Sequence, residues 1–315
     1  MHFAYPARKS SNPPPFLPRS SRISALRRNR LKLVAVAGLS IIFLLWLFSG
    51  SKTKASPQRI ITGNPPVVIV TAFEEKTVGS EFIRNAKSNR REYAKMHGYK
   101  THLVSASDYD LNGSPLSWAK VPAMRHAMAK YPNARFFWYL DQNSLIMNPS
   151  LKVEDYVMSA RKLEANMIKD LPVVPPDSII KTFSHLKGDD VSFVLTQDKE
   201  GLSSGSFIIR NGDWAEFFLD TWFDPLYRSY NFQKAETHAL EHIVQWHPTI
   251  LSKLAIVPQR LINANSKSGQ GDQYKEEDIV VRFPGCTTGS SLSEVQCEEE
   301  AKRFLPQWQK AFGLS

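Results

Sequence analysis

Five apolar or aromatic residues, Phe136–Leu140, are followed at once by the polar sequence Asp141-Gln-Asn143. An unbroken apolar run of this length is typical of a strand that is buried on both faces of a parallel sheet. Ligands of open α/β sheets bind beyond the carboxyl ends of such strands. Asp141 and Asn143 are therefore candidates to present oxygen atoms to a hard cation, or to the ribose and diphosphate of a nucleotide. The alternative is that Asp141 caps the next turn and Asn143 belongs to an ordinary loop.

Strand-like and helix-like segments alternate over the rest of the chain. Apolar runs bounded by turn residues predict strands, and apolar residues at helical spacing predict helices. The predicted strands cover residues 67–70, 101–104, 136–140, 191–195, 207–209 and 279–281, and the predicted helices cover residues 81–97, 118–128, 153–168, 213–222 and 236–246. This alternation predicts one α/β domain over residues 65–315, built on a mainly parallel sheet.

The first of these helices carries several cations. It is predicted to end at Gly98, because glycine suits the left-handed conformation of a helix C-cap. Its apolar residues share one side of the helix. Lys87, Arg90 and Arg91 are expected to form a basic face.

The positive charge of the chain is concentrated at its N-terminus. The formal net charge is +10, but residues 1–59 contain 11 of the 40 Lys and Arg and none of the 30 Asp and Glu. The remaining 29 Lys and Arg therefore face 30 acidic residues beyond residue 59. A near-neutral folded part gives no reason to expect a nucleic acid as partner.

Residues 33–48 contain no charged side chain and continue into Ser49 and Gly50. This length is just sufficient to cross a bilayer, and the cations before it favour a cytosolic N-terminus. The sequence thus predicts a disordered cytoplasmic tail at 1–32, a transmembrane signal anchor at 33–50, a stem at 51–64 and a lumenal domain at 65–315. A short span fits membranes of the early secretory pathway. The alternative is a cleaved signal peptide.

Cys286 and Cys297 are the only cysteines of the chain. In an oxidising lumen this pair predicts a disulfide that closes a small loop and contributes about 2–3 kcal/mol of stability. A metal pair is less favoured, because no other Cys or His lies at ligand spacing beside either residue.

Several segments together resemble glycosyltransferase family 34. They are Asn89-Arg-Arg-Glu-Tyr93 with His97-Gly98-Tyr99, Trp118-Ala-Lys120 with Met124-Arg125, Trp138-Tyr-Leu-Asp141, Gly205-Ser-Phe207 with Arg210-Asn211, and Phe283-Pro-Gly-Cys286. Within the family, the fungal Golgi α-1,6-mannosyltransferase subunits of mannan polymerase II are the most similar. Further segments carry this likeness, namely Asp141-Gln-Asn143, His238-Ala-Leu-Glu-His242 with Trp246-His247, and Arg282-Phe-Pro-Gly-Cys286.

The resemblance implies a GT-A-like, Rossmann-type nucleotide-sugar-binding domain on a single-pass type II Golgi membrane protein. It implies retaining α-1,6-mannosyl transfer from GDP-mannose to mannan or N-glycan acceptors, within a hetero-oligomer of mannosyltransferase subunits. Two alternatives stay open. One is a weakly catalytic or non-catalytic subunit that is structural or binds the acceptor, and the other is an α-galactosyltransferase that uses UDP-galactose.

The resemblance also implies roles for particular residues. Asp141 and Glu236 would be catalytic. The nucleotide sugar would be bound by Thr71, Ala72, His97, Gly98, Tyr99, Lys120, Asp141, Asn143, Arg282 and Gly285. The acceptor or the transferred sugar would be bound by Gly205, Ser206, His238, Glu241 and His242. The alternative for Lys120 is an exposed helix lysine, and the alternative for Glu241 is a solvated helix face.

Two positions depart from the metal set that many relatives use for Mn²⁺. Those relatives have a second aspartate at position 143 and a histidine at position 282, where this chain has Asn143 and Arg282. An amide oxygen can still bind a metal, but a guanidinium cannot. Three hypotheses follow: a weak Mn²⁺ site at Asp141 and Asn143, a metal-free site where Arg282 binds the diphosphate and pairs with Asp141 when empty, or a subunit that binds donor poorly.

His238 and His242 lie one helical turn apart, as a pair of metal ligands would. Since no third ligand is evident in the sequence, surface or acceptor-contacting histidines are favoured over a metal site.

Overall fold

The computed structural model describes residues 30–48, 60–75, 79–175, 178–269, 271–284, 286 and 293–314. Gly285, which is predicted to bind the nucleotide sugar, lies outside the described residues, as do residues 1–29 of the predicted tail (1–32) and most of the stem. One helix, α1 (Arg30–Phe48), is a unit by itself and overlaps the predicted anchor. Within the described part of the chain, no helix combines the length and apolar character that a membrane crossing requires, so the anchor is not confirmed.

The remaining described residues form a mixed α/β domain, which confirms the predicted class. Its strands are β1 (Val67–Phe73), β2 (Lys100–Ser105), β3 (Phe136–Leu140), β4 (Ser144–Ile146), β5 (Phe193–Asp198), β6 (Gly201–Arg210), β7 (Leu254–Val257), β8 (Ala264–Asn265) and β9 (Val280–Arg282). Its helices are α2 (Ser80–His97), α3 (Lys120–Lys130), α4 (Val153–Tyr156), α5 (Ala160–Asn166), α6 (Asp213–Trp222), α7 (Pro225–Ser229), α8 (Ala235–Trp246), α9 (Pro248–Leu251), α10 (Ser293–Ala301) and α11 (Phe304–Ala311).

A six-stranded sheet in the order β2-β1-β3-β6-β5-β7 forms the centre of the domain. Every residue of β1 and β3 is buried, as their continuous apolar sequences predict. Side chains alternate between the two faces of β1, so that Val67 and Ile69 join one hydrophobic cluster while Val68 and Val70 join the other. Helices cover both faces, and the core therefore lies on both sides of the sheet.

The sheet is more mixed than the sequence predicts. β1 pairs in parallel with β2 and β3, and β5 with β7, but β6 runs antiparallel to both β3 and β5. Only Lys199 and Glu200 separate β5 from β6, and a turn this short cannot form the crossover that a parallel pair needs. Three strands form a second sheet in the order β4-β9-β8. All three follow β3 in the sequence.

The predicted helix at 153–168 is also wrong in extent, because the structure has two short helices there, α4 and α5. Ser159, in extended conformation, interrupts the helical run immediately before α5. Serine competes with helical backbone hydrogen bonds, which makes it a common helix boundary.

Candidate functional site

A cavity of about 290 Å³ opens at the carboxyl ends of β1 and β3. Its wall includes Ala72 from β1, Asp141 after β3, Lys120 at the start of α3, Glu236 at the start of α8 and Arg282 from β9. These residues are far apart in sequence, and five separate elements deliver them to one place. The position agrees with the rule that α/β sheets bind ligands beyond their carboxyl ends.

Asp141 is fixed by its backbone on both sides. Its amide nitrogen donates to the carbonyl oxygen of Gly205 on β6 (2.8 Å), and its own carbonyl accepts from Nη2 of Arg90 (2.7 Å). Nη1 of Arg90 also donates to the carbonyl of Ser144 (2.7 Å), so one guanidinium holds both ends of the loop between β3 and β4. The carboxylate of Asp141 is therefore presented by a rigid backbone.

Arg90 does not contribute to a basic surface on α2, as the basic face predicted from the sequence would suggest, because its side chain is fully buried. The three carbonyl groups that it binds, including that of Ala86, compensate for the lost hydration. Burial lowers the pKa of Arg90 to about 9, against the opposing influence of the charge on Asp141. Its neighbour Asn89 is buried as well, and exchanges two hydrogen bonds of 2.8 Å with the backbone of Ile146.

Lys120 and Glu236 form a buried ion pair in the cavity wall. The distance from Nζ of Lys120 to Oε1 of Glu236 is 2.7 Å, and Nζ also donates to Oγ of Ser204 at 3.1 Å. A carboxylate oxygen of Asp141 lies 3.9 Å from the same Nζ atom. Lys120 is thus held between two carboxylates and is not the exposed lysine of the alternative interpretation.

The electrostatics of this pair keep both groups charged. Burial by itself lowers the pKa of Lys120, but the charges of Asp141 and Glu236 outweigh this effect, and the net shift is upward. Burial by itself raises the pKa of Glu236, but the charge and hydrogen bond of Lys120 outweigh it, and the net shift is downward. Each partner therefore stabilises the ionised form of the other.

Arg282 brings a second cation to the cavity. β9 pairs with β4 and places Arg282 opposite Ser144. Nε of Arg282 is buried and has no hydrogen-bond partner among the described residues. The ion pairs of Asp141 among these residues include Lys120 but not Arg282, so the predicted pair between Asp141 and Arg282 is not formed. The Nε–H group of Arg282 thus remains available to a ligand.

Gly205 leaves the space that lets these groups approach. A Cβ atom at this position would lie 3.1 Å from Oδ2 of Asp141 and 3.6 Å from Nε of Arg282. Any side chain here would therefore crowd the carboxylate and the guanidinium, which gives a physical reason for a glycine in the wall.

The residues present do not fit a resident Mn²⁺ ion. Asp141 and Asn143 both line the cavity, and Oδ1 of Asn143 is buried without a hydrogen-bond partner, so two oxygen atoms are available. The remaining position of the relatives' metal set is occupied by Arg282, which cannot bind a metal. Among the described residues, no group of three or more His, Cys, Asp and Glu side chains is arranged to hold a metal ion.

Several lining residues were not singled out from the sequence. They contribute hydroxyl groups and charges to the cavity wall, and comprise Ser117, Asp198, Glu200, Ser203, Ser204, Lys234 and Thr237. The hydroxyl groups of Ser204 and Thr237 lie 2.7 Å apart. The small polar sequence Ser203-Ser-Gly-Ser206, within a strand that is buried along its length, is the signal that could have indicated them.

Thr71 and Ser206, predicted to bind ligand, have partners in the protein and do not line the cavity. Oγ1 of Thr71 donates to the carbonyl of Leu140 (2.7 Å), and Oγ of Ser206 accepts from Nε1 of Trp138 (3.0 Å). Both side chains are fully buried. In this structure they join β1, β3 and β6 to each other, and their predicted roles in binding stay predictions.

His97, Gly98 and Tyr99 lie at the other end of the sheet. Gly98 is the left-handed C-cap of α2, as predicted, and the register of β2 places Tyr99 beside the start of β1. The ring of His97 contacts the carbonyl of Pro149 (2.9 Å), and burial lowers the pKa of His97. These three residues do not line the cavity, and their role in nucleotide binding stays a prediction.

Glu241 holds the hairpin between β5 and β6 against α8. Its carboxylate accepts from the amide of Leu202 (3.0 Å), and it lies so close to Gly201 that a Cβ atom there would be 1.9 Å from Oε1. Glu241 is buried and therefore not on a solvated face, and this burial raises its pKa. His238 and His242, on the same helix, are half-buried and lie outside the cavity lining.

A cavity at this edge of an α/β sheet, walled by cations and carboxylates, is typical of enzymes that act on phosphorylated or nucleotide ligands. Residues 63–293 match the galactosyl transferase GMA12/MNN10 family, and the chain belongs to this family, glycosyltransferase family 34.

Two relatives show the range of this family. An uncharacterised α-1,2-galactosyltransferase of Schizosaccharomyces pombe is 32% identical over 267 residues, which cover 82% of this chain and 80% of the relative. The probable α-1,6-mannosyltransferase MNN10 of Saccharomyces cerevisiae is 31% identical over 216 residues, which cover 64% of this chain and 54% of the relative. The chain spans 56% of the length of two further α-1,2-galactosyltransferases of S. pombe.

Among solved structures, a glycosyltransferase involved in the glycosylation of the major capsid of PBCV-1 is similar at a TM-score of 0.49 and 12% identity. The similarity covers 75% of this chain and 98% of that structure.

Proposed function

We propose that this chain is a glycosyltransferase that transfers a hexose from a nucleoside diphosphate hexose to a glycan, with retention of configuration. The observation that carries the proposal is the cavity wall in which Lys120 and Arg282 lie beside Asp141 and Glu236. This arrangement provides two fixed positive charges for a diphosphate and two carboxylates for the sugar.

The proposed chemistry follows from these charges. An acceptor hydroxyl oxygen forms the new bond to the anomeric carbon as the bond between the sugar and the diphosphate breaks, and the hydroxyl proton passes to the departing diphosphate. Negative charge grows on this diphosphate, and Lys120 and Arg282 stabilise it. Positive charge grows at the same time on the anomeric carbon of the sugar, and the carboxylate of Glu236 stabilises that charge. Because Lys120 keeps Glu236 ionised, this carboxylate is ready for its role before the donor binds.

We propose GDP-mannose as the donor and a mannan or N-glycan chain as the acceptor, with an α-1,6 linkage, in the Golgi lumen. The likeness to the fungal mannosyltransferases supports this choice, and so does the relative MNN10. The same likeness suggests that the chain works with other mannosyltransferase subunits. A second candidate is α-galactosyl transfer from UDP-galactose, because several relatives are named α-1,2-galactosyltransferases.

Incubation of the purified protein with radiolabelled GDP-mannose or UDP-galactose, with an α-mannan oligosaccharide as acceptor, tests the donor. We expect transfer of mannose, and loss of that transfer in Glu236→Gln. Turnover of UDP-galactose alone would establish the second candidate instead. Donor binding without turnover of either sugar would favour a non-catalytic subunit, and absence of any donor binding would contradict the proposed function.

A further inference from the structure

Six aromatic rings form a continuous stripe along α7, the segment that follows it, and α8. The aromatic stripe comprises Tyr227, Tyr230, Phe232, His238, His242 and Trp246. Ring centroids are 5.4 Å apart for Tyr230 and Phe232, 6.5 Å for Phe232 and His242, and 6.0 Å for His242 and Trp246. The last three members, His238, His242 and Trp246, are spaced four residues apart and therefore share one face of α8.

The outer rings of the stripe are open to solvent. Trp246 is 70% exposed and Tyr230 is 47% exposed. The other four rings are half-buried, so the two exposed rings stand at the ends of a partly covered aromatic surface. Single exposed aromatic residues are common, but exposed rings that continue into such a surface are typical of a binding site. Large rigid rings lose little conformational freedom on binding, which makes them efficient contact surfaces.

The stripe begins beside the cavity. His238 directly follows Thr237, which lines the cavity, and Nδ1 of His238 accepts from the amide of Lys234 (3.3 Å), another lining residue. From there α8 continues to Trp246 at its last residue. At the usual rise of a helix this is a distance of roughly 12 Å between His238 and Trp246, enough for a few linked sugar rings.

We propose that the aromatic stripe binds the part of the acceptor glycan that extends beyond the sugar to which the hexose is transferred. This inference rests on the proposed function. Each hexose ring has a face of C–H groups that can stack on an aromatic ring, while its hydroxyl groups at the edge can bind histidine nitrogens and Tyr OH groups. The stripe carries no charged side chain apart from its histidines, which suits an uncharged glycan. Because the stripe is continuous with the cavity, the acceptor is favoured over any other partner as its ligand.

The test measures binding of α-1,6-linked mannobiose and mannohexaose to the full chain by calorimetry, without donor. The variant is Trp246→Ala combined with Tyr230→Ala, and the control is Phe217→Ala, which removes an aromatic ring that is 52% exposed on α6 and lies outside the stripe. We expect the double variant to bind mannohexaose roughly fivefold to tenfold more weakly, and mannobiose and nucleotide donor as the wild type does. Phe217→Ala should bind all three normally.

Equal affinity of the double variant and the wild type for mannohexaose would overturn the proposal, as would failure of the wild type to bind it. The same result together with loss of association with another protein would assign the stripe to a protein partner. Donor binding is measured separately in every variant. A chain that binds neither GDP-mannose nor UDP-galactose contradicts the proposed function, whereas normal donor binding with unchanged glycan affinity contradicts only the role of the stripe.

Discussion

At the scale of single residues, the ion pair of Lys120 and Glu236 illustrates how a buried charge is tolerated. Glu236 is 4% exposed and Lys120 5% exposed, so each side chain needs a neighbouring opposite charge to remain ionised: Lys120 for Glu236, and Asp141 and Glu236 for Lys120. Both can serve a ligand because they are already desolvated and oriented. The pair therefore couples the stability of the fold to the charge of the site.

Removal of one partner should cost more than removal of both. We expect Lys120→Met to lower the free energy of unfolding by about 3–5 kcal/mol, because Glu236 is left as an unpaired buried charge. Lys120→Met combined with Glu236→Gln should recover a large part of this loss. Urea unfolding of the two single variants and the double variant measures the difference. As a control, Arg125→Met, which breaks partly exposed pairs with Glu216 and Asp220, should cost only about 1 kcal/mol.

The same pair sets a pH window for stability. The folded-state pKa of Glu236 is lowered from 4.5, so its contribution is fully present above that value and is lost as the pH falls through the folded-state pKa. The folded-state pKa of Lys120 is raised from 10.5, so its contribution is lost only as the pH rises beyond that value. We expect the double variant to show a flatter acid limb than the wild type in thermal unfolding between pH 6 and about 3. Identical acid limbs would argue against the pair.

Arg282 decides whether we expect donor binding to depend on a metal ion. If the guanidinium binds the diphosphate, Arg282→Ala should weaken donor binding by more than about 1.5 kcal/mol, and a chelator should leave binding largely intact. Arg282→Lys should retain a part of the affinity, because it keeps the charge but loses the planar fork. Calorimetric titration with donor measures all three. Loss of binding in chelator with no effect of Arg282→Ala would restore Asp141 and Asn143 as metal ligands.

At the scale of elements, α2 acts as the support of the loop between β3 and β4. Asn89 and Arg90 bind backbone groups of Asp141, Ser144 and Ile146, which a surface helix would not do. The position of Asp141 therefore depends on a helix that contributes no side chain to the cavity lining.

Arg90→Met should remove this support. Two carbonyl groups in the loop lose their donor, and we expect the free energy of unfolding to fall by about 2–4 kcal/mol and donor binding to weaken. Arg91→Met is the matched control, since the neighbouring side chain is exposed and should change stability by less than about 0.5 kcal/mol. Chemical denaturation and donor titration of both variants provide the comparison. Equal effects of the two substitutions would show that Arg90 does not hold the loop.

The sequence predicts some of these elements far better than others. Phe136–Leu140 could be recognised as a buried strand because a short unbroken apolar run is typical of a strand that is buried on both faces. Arg90 could not be recognised as buried, since two of its three carbonyl partners are more than 50 residues away in the chain. The direction of β6 was missed for a related reason, because apolar runs indicate burial but not strand direction. The sequence predicted that cations and carboxylates would meet in the site. That Lys120 lies beside both Asp141 and Glu236 could be seen only in the structure.

At the scale of the whole molecule, a disulfide ties the C-terminal region to the cavity. Cys286 is bonded to Cys297 on α10, and Cys286 itself lines the cavity, four residues after Arg282. The cross-link therefore constrains the segment that carries one of the two cations. The disulfide also stabilises the domain as a whole, because it restricts the conformations of the unfolded chain.

Replacement of both cysteines by serine should lower the free energy of unfolding by about 3 kcal/mol, the value expected for a loop of this length. It should also weaken donor binding, because Arg282 is held less firmly. Thermal unfolding and donor titration of the double variant test both effects, and reduction followed by alkylation of the wild type should reproduce them. Unchanged donor affinity would separate the disulfide from the site.

The wall of the cavity also has a consequence for biosynthesis. Its residues extend from Ala72 to Cys286, so a ribosome must release all of this segment before the wall can close. Until then, a nascent chain holds Lys120, Asp141 and Glu236 without the β9 strand that brings Arg282 to them. Contacts between residues this distant in sequence form late and slowly. A nucleotide sugar that binds only the closed wall would therefore favour chains that extend past Cys286 over shorter ones, and the substrate itself would act as a check on folding of the wall.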